Sequence, residues 1–127
     1  MYDMCFACGN DNPISLRLKF EKVADNKVEA EFIPKPVHQG YEGIIHGGIV
    51  STLLDEAMVT AVIVQDVEAV TAEINIRFKE EIIVGEKLKI MGYTKGGKGR
   101  LVFTEGVIKN SNGKIKAKAK AKFMKTG

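Results

Sequence analysis

Several features are scarce in this sequence of 127 residues, and each scarcity excludes a class of protein. Its two cysteines are too few for a disulfide scaffold. No apolar run approaches the roughly 20 residues that a membrane-spanning helix needs, so we expect no membrane partner. Residues 1–5 lack the basic start and the apolar stretch of a signal peptide, and we therefore expect a cytoplasmic protein.

An excess of one charge sign is also nearly absent. The 19 lysines and arginines stand against 16 acidic residues, and a net charge of +3 is too weak to indicate a nucleic-acid partner. The chain is 45% hydrophobic and 28% charged, which is typical of a folded globular protein and not of a disordered one. The length fits a single domain over residues 1–127, with a core large enough to fold without disulfides or bound metal ions.

Alternating apolar and polar residues predict about six strands. The first two runs, 16–20 and 28–32, flank a turn signal at Asp25-Asn26 and predict a hairpin. Four further runs predict strands over 67–79, 86–95, 100–109 and 114–124, with glycine-containing turns at 95–99 and 110–113. In the last run, lysines alternate with small apolar residues. That lysine row is either a solvated face or a phosphate-binding one.

The convincing helical pattern lies in residues 47–65. Its apolar residues recur at helical spacing and cover much of the circumference, so we expect other structure to wrap this helix. The simplest arrangement is an α+β fold in which a mainly antiparallel sheet curls around one long central helix.

Glycines and polar residues cluster where this helix begins. Gln39 lies in the preceding loop, and His46, Gly47 and Gly48 form the helix entry. Glycines let a ligand approach the backbone, and the first N–H groups of a helix are free to stabilise a developing negative charge. The segment is therefore a candidate oxyanion hole, although an ordinary glycine-rich helix start explains the pattern equally well.

Asp55 is an acid within this apolar helix. Burying a carboxylate is costly unless the group is paired or useful, so Asp55 is a candidate catalytic residue. It follows Gly48 by two helical turns and shares its side of the helix. Glu56 lies about 100° further round, and we expect it at solvent or at an interface.

The distance from Asp55 to the glycine entry predicts an oligomer. At about 1.5 Å per residue, Asp55 lies roughly 10 Å along the axis from Gly48. Acyl transfer needs the base and the oxyanion donors within about 3 Å of one reacting centre. Two antiparallel helices in a two-fold dimer would satisfy this condition, so we predict a homodimer with two sites at its interface.

Cys5 and Cys8 have the C-x-x-C spacing found in metal sites. A structural zinc site requires four ligands, and the remaining candidates, His38 and His46, have an unusual spacing. We therefore predict a pair of thiols and no metal.

Taken together, the motifs resemble the hotdog-fold acyl-CoA thioesterases, in the group of the phenylacetate-degradation (PaaI) and 4-hydroxybenzoyl-CoA enzymes. The resemblance rests on residues 39–49, 53–57 and 70–78, and the opening segment 5–13 is similar to a subgroup. It implies a hotdog domain, a homodimer that often forms a dimer of dimers, and hydrolysis of an acyl-CoA thioester. No separate cofactor is implied, because CoA is part of the substrate.

The resemblance also implies roles for the candidate residues. The backbone N–H of Gly47 or Gly48 would polarise the thioester carbonyl, and His46 would shape that turn. Asp55 of the partner subunit would activate water or attack the carbonyl itself. Thr71 matches a hydroxyl position that places the water, although its place in a strand explains it equally well.

Two further sets of residues follow from the resemblance. Many relatives carry Asn where this chain has Gly40, and Gln39 would serve in its place. The phosphates of CoA would meet basic residues near the dimer rim, and the candidates are Arg77, Lys79, Lys95, Lys98 and Arg100.

Two alternative functions stay open at this point. A hotdog hydratase or dehydratase would use the His46 side chain as a base, but the motifs that such relatives carry before the helix are missing here. A non-catalytic acyl-CoA binding protein is the other alternative, and an intact Asp55 argues against it.

Overall fold

The computed structural model describes residues 2–127. It contains one long helix, α1 (Gly47–Ile63), and a short 3-10 helix over Pro36–His38. The strands are β1 (Glu21–Ala24), β2 (Lys27–Phe32), β3 (Ala69–Phe78), β4 (Leu88–Lys98), β5 (Leu101–Asn110) and β6 (Ile115–Lys125). They form a single antiparallel sheet in the order β1-β2-β4-β5-β6-β3, and the predicted α+β architecture is confirmed. The helices of residues 2–127 fall short of the length and apolar character that a membrane crossing demands.

Helix α1 lies directly on the centre of the sheet because two facing glycines make room for it. Gly92 of β4 is paired with Gly106 of β5. A Cβ atom at Gly92 would stand 2.0 Å from the carbonyl oxygen of Ala57, so the strand and the helix backbone are in contact there. Leu53, Ala57 and other apolar residues of the helix are fully buried against the sheet.

The alanines of β6 also help to seat the helix. Ala117, Ala119 and Ala121 are buried in the core, together with Phe123. Because side chains alternate along a strand, the lysines between them point to the opposite, exposed face of the sheet. The small residues keep the sheet close to α1, as the sequence pattern predicts.

The predicted strand at residues 16–20 is wrong. The hairpin turn is at Asp25-Asn26 as expected, but the strand before it is β1. Leu16 and Leu18 are nevertheless buried, and their N–H groups donate to carbonyls of the N-terminal loop at 2.9 and 3.0 Å. Arg17 between them has a φ of 54°, which breaks the extended conformation that a strand needs. The alternation of apolar and polar residues over 16–20 therefore indicates which side chains are buried, and it does not indicate pairing in a sheet.

The predicted glycine turn at residues 95–99 is also wrong in its extent. Strand β4 continues through Gly96 and Gly97 to Lys98, and the pairing with β5 shifts between Thr94 and Gly97. The turn itself is confined to Gly99 and Arg100, where Gly99 has a φ of 60°. The glycines thus accommodate a bulge followed by a tighter turn than the sequence suggests.

Candidate active site

His46 caps the N-terminus of helix α1 with its side chain. Its Nδ1 accepts a hydrogen bond of 2.8 Å from the N–H of Gly48, and its carbonyl accepts from Ile49 and Val50. The N–H of Gly47 has no acceptor among residues 2–127. Of the two candidate oxyanion donors, Gly47 is therefore available, whereas Gly48 is engaged by the cap.

Gly47 borders a cavity of about 330 Å³. A Cβ at Gly47 would lie 3.7 Å from the ring of Phe78, which belongs to β3. Apolar side chains, among them Ile44, Val50 and Ile82, form one part of the lining. The other part is charged and consists of Lys79, Glu80, Glu81 and Lys116. The helix N-terminus and its dipole favour a developing negative charge beside Gly47.

Asp55 is held by a hydroxyl from the sheet. The Oγ1 of Thr71 donates a hydrogen bond of 2.7 Å to Oδ1 of Asp55, and a bulge in the β3–β6 pairing follows Thr71. Oδ2 of Asp55 accepts no hydrogen bond from the part of the chain that the structure describes. The carboxylate is thus oriented through one oxygen, and the other is available to a water molecule or a substrate.

The free N–H of Gly47 and the carboxylate of Asp55 do not meet within one chain. Helix α1 is continuous from Gly47 to Ile63, so eight residues separate the two groups along its axis. At about 1.5 Å per residue, this corresponds to roughly 12 Å, which is far beyond the reach of one reacting atom. The two groups of a single chain therefore cannot act on the same reacting atom.

Gln39 uses its amide within its own loop. Its Oε1 accepts a hydrogen bond from the N–H of Gly43, and its Nε2 donates to the carbonyl of Pro36 at 2.8 Å. The neighbouring Gly40 packs on the capping histidine, since a Cβ there would stand 3.2 Å from Cα of His46. Gln39 thus shapes the loop before the helix, and position 40 leaves little room for the Asn of related sequences.

The five basic candidates for CoA phosphates occupy different places. Arg77, Lys79 and Lys95 line one groove of about 670 Å³ on the sheet face opposite α1. Lys98 lines another cavity, and Arg100 donates to the carbonyl of Lys125 at 2.8 Å. One chain therefore brings three of the five together.

A comparison with protein families shows which family the chain belongs to. The model of the thioesterase superfamily matches residues 42–117, more than half of the chain. The chain belongs to the thioesterase superfamily. This match includes the capped helix start, Asp55 and Thr71, and it confirms the resemblance noted in the sequence. The comparison with curated protein sequences gave no match.

Solved structures share the fold of this superfamily member. A hypothetical thioesterase from Streptococcus pneumoniae with coenzyme A gives a TM-score of 0.81 at 24% identity, over 87% of this chain and 86% of that one. A Streptococcus mutans protein bound to acetyl CoA gives 0.81 at 22% identity, over 87% and 89%. The PaaI protein from the phenylacetic acid degradation operon of Escherichia coli gives 0.81 at 18%, over 86% and 83%. The predicted hotdog fold is confirmed.

Glu56 of this thioesterase-superfamily chain lies where the sequence analysis did not expect it. The sequence predicted it at solvent or at an interface, and its exposure of 7% within a single chain shows that the position at solvent is wrong. The N-terminal loop covers that side of α1, and the ligand atoms of Cys5, Cys8 and Glu56 lie within 4.8 Å of one another. Burial, together with the charge of the adjacent Asp55, raises the pKa of Glu56 despite a hydrogen bond with Cys8. Burial likewise raises the pKa of the Cys8 thiol, and the neighbouring Cys5 and Glu56 raise it further.

Proposed function

We propose that the protein hydrolyses an acyl-CoA thioester to the free acid and CoA. The observation that carries the proposal is the hydrogen bond from Thr71 to Asp55, because it orients an acid on the central helix and leaves its second oxygen available. Membership of the thioesterase superfamily supports the reaction class. Two structures of the same fold, which contain coenzyme A and acetyl CoA, support the substrate class.

In the proposed chemistry, the helix start at Gly47 and the acid Asp55 have separate roles. The thioester oxygen accepts a hydrogen bond from the N–H of Gly47, and Asp55 of the partner subunit removes a proton from an attacking water. The resulting oxyanion is stabilised by the N–H and by the helix dipole. Collapse expels the thiolate of CoA, which takes the proton from Asp55. Alternatively, Asp55 attacks the carbonyl, the C–S bond breaks and the CoA thiolate leaves. Water then hydrolyses the resulting mixed anhydride to the free acid and regenerates the Asp55 carboxylate.

The dimer in this proposal places its partner along strand β3. This strand is an edge of the sheet, and its Val70 and Phe78 are each 57% exposed. An edge strand with exposed apolar side chains is a template for pairing with another chain. A two-fold pairing there would bring the Asp55 of one subunit towards the Gly47 of the other. A dimer of dimers remains our proposed higher assembly.

Coenzyme A carries several phosphate charges that need basic partners. Of the five candidates, Arg77, Lys79 and Lys95 have the stronger claim, because they line a single groove. Lys98 and Arg100 would contribute only from another part of the dimer rim.

A thiol-release assay with short, long and aryl acyl-CoAs tests the proposal. We expect turnover with at least one of them and a loss of about 10²–10⁴-fold in kcat for Asp55→Asn, the range for removal of a general base. Asp66→Asn, the same change at an exposed acid beyond the helix, is the matched control. Equal turnover of wild type and Asp55→Asn would remove the mechanism, and no turnover with any thioester would favour a non-catalytic binding protein.

A further inference from the structure

The N-terminal loop folds tightly so that two thiols lie beside helix α1. The N–H of Gly9 donates to the carbonyl of Cys5 at 2.8 Å and closes a turn around Cys8. A Cβ at Gly9 would stand 2.3 Å from the carbonyl oxygen of Asp3, so the turn admits only glycine at this position. Both Cys5 and Cys8 are in the thiol form.

The helix supplies an acid to the same place. Glu56 is buried, and its Oε2 has no hydrogen-bond partner among the described residues. Thr60 lies one turn further along, and its buried Oγ1 also has no partner in residues 2–127. A buried polar oxygen without a partner is costly, and two of them lining one cavity indicate that the space between them receives a ligand.

We propose that Cys5, Cys8 and Glu56 form a zinc site between the N-terminal loop and helix α1. Thiolates select zinc and other soft or borderline cations, and a carboxylate oxygen is an ordinary third ligand of zinc. Two observations carry this proposal: the three ligand atoms converge within 4.8 Å, and the buried Oε2 of Glu56 has no hydrogen-bond partner within residues 2–127. The site is separate from the acyl-CoA chemistry proposed above.

The dimensions suit a tetrahedral ion with one open position. Zinc–sulfur bonds of about 2.3 Å place two sulfurs roughly 3.8 Å apart, which small side-chain rotations would achieve here. A cavity of about 230 Å³ adjoins Cys8, Glu56 and Thr60. A water molecule bound there as the fourth ligand would lie near the hydroxyl of Thr60. Three protein ligands and a water are the arrangement of open zinc sites, so this site differs from the closed four-ligand structural site that the sequence lacks.

The geometry also distinguishes zinc from a disulfide between the same cysteines. A disulfide would link the two sulfurs but give the buried Oε2 of Glu56 no partner in the part of the chain that the structure describes. A cation neutralises all three acidic groups at once, and it joins the loop to the helix at the residue next to Asp55.

Metal binding by the full chain tests the site without reference to thioester hydrolysis. The reduced, chelator-treated protein is titrated with Co²⁺ as a spectroscopic substitute and then with Zn²⁺, which should displace it. We expect thiolate-to-cobalt absorption that saturates at about one ion per chain, as a single site requires. Cys5→Ser, Cys8→Ser and Glu56→Gln should each weaken binding by at least about tenfold, since each removes one of three protein ligands.

The matched control is Glu68→Gln, which makes the same acid-to-amide change at an exposed glutamate beyond the helix and should leave cobalt affinity unchanged. Undiminished affinity in Glu56→Gln would overturn the proposal, as would the absence of thiolate-to-cobalt absorption in the wild type. A second measurement does not depend on any variant folding. Zinc should slow the alkylation of Cys5 and Cys8, followed by mass spectrometry, and an unchanged alkylation rate would also overturn the site.

Discussion

The hydroxyl of Thr71 on strand β3 holds Oδ1 of Asp55 on helix α1 at 2.7 Å. The two residues lie 16 positions apart in the chain, and the contact fixes an acid that the helix alone would leave to rotate. Because the contact uses Oδ1 and leaves Oδ2 without a donor among residues 2–127, the pair suits a group that must accept a proton from water.

Replacing Thr71 by Val should lower kcat while the fold is retained. Hydrogen bonds to charged groups are worth about 1.5–3 kcal/mol, and a loss of that size in the transition state corresponds to roughly 10–100-fold in rate. Steady-state thiol release measures the effect, with circular dichroism as the check on folding. Thr71→Ser keeps the hydroxyl and should retain most of the activity. Equal rates for the Val and Ser variants would show that the hydrogen bond does not assist the reaction.

His46 should prove to be a capping residue and not a base. His46→Ala should destabilise the protein by about 1 kcal/mol, because it removes the acceptor for the N–H of Gly48. His46→Asn, which supplies another good capping side chain, should recover most of this stability in urea unfolding.

The same pair of variants separates the thioesterase from the hydratase alternative. Removing a general base costs about 10²–10⁴-fold in rate, so a hydratase that relies on the imidazole would lose its activity in both variants. A thioesterase that uses the N–H of Gly47 should keep most of its turnover in His46→Asn. Loss of thioester turnover in the Asn variant as severe as in Asp55→Asn would argue against the capping role.

Local signals predicted the elements of the fold that depend on nearby residues. Helix α1 begins at Gly47 as expected because its cap, its glycines and its apolar period all lie within one segment. The strand expected at residues 16–20 was wrong because alternation records which side chains are buried, whereas a ladder also needs extended backbone. Arg17 does not provide that backbone.

Some features of the candidate site could not be predicted from the sequence, because they depend on segments distant in the chain or on side-chain rotamers. Glu56 looked like a surface acid because nothing near it in the chain shows that the N-terminal loop covers its side of the helix. The choice between Gly47 and Gly48 as the donor rests on the imidazole of His46, whose rotamer has no sequence signal. Asp55, in contrast, is a candidate from the sequence alone, because an acid within an apolar helix is unusual in any fold.

The glycine pair beneath the helix should respond unequally to the same substitution. In Gly92→Ala the added Cβ would meet the backbone oxygen of Ala57 at 2.0 Å, so the helix and the sheet must separate. In Gly106→Ala it would meet only side chains, Leu54 at 3.1 Å and Met58 at 3.3 Å, which can rotate. We expect a loss above the usual overpacking range of about 1–3 kcal/mol for the first variant and within it for the second. Urea unfolding measures both, and equal losses would contradict the close approach of strand and helix.

Glu86 should make stability depend on pH in the acidic range. Burial by itself raises the pKa of this carboxyl, but hydrogen bonds from the N–H of Ile83 and the amide of Asn110, with the ammonium of Lys116, outweigh it and hold the pKa below its usual value. The Lys116 Nζ lies 3.3 Å from Oε2 of Glu86 and is itself largely buried. A lowered folded-state pKa stabilises the protein at pH values above the unfolded-state pKa, which is about 4.3. This contribution is lost as the pH falls through the folded-state pKa.

Glu86→Gln should therefore unfold more easily than the wild type at neutral pH. The difference should shrink as the pH falls below the unfolded-state value of about 4.3 and through the lower folded-state pKa, where the wild-type carboxyl also becomes protonated. Thermal or urea unfolding across a pH series measures this difference. The matched control is Glu80→Gln, because Glu80 pairs with Lys114 at 2.8 Å between more exposed side chains, and exposed pairs contribute little. A difference between Glu86→Gln and wild type that stays constant from neutral to acidic pH would mean that the variant loses packing and not a charge interaction.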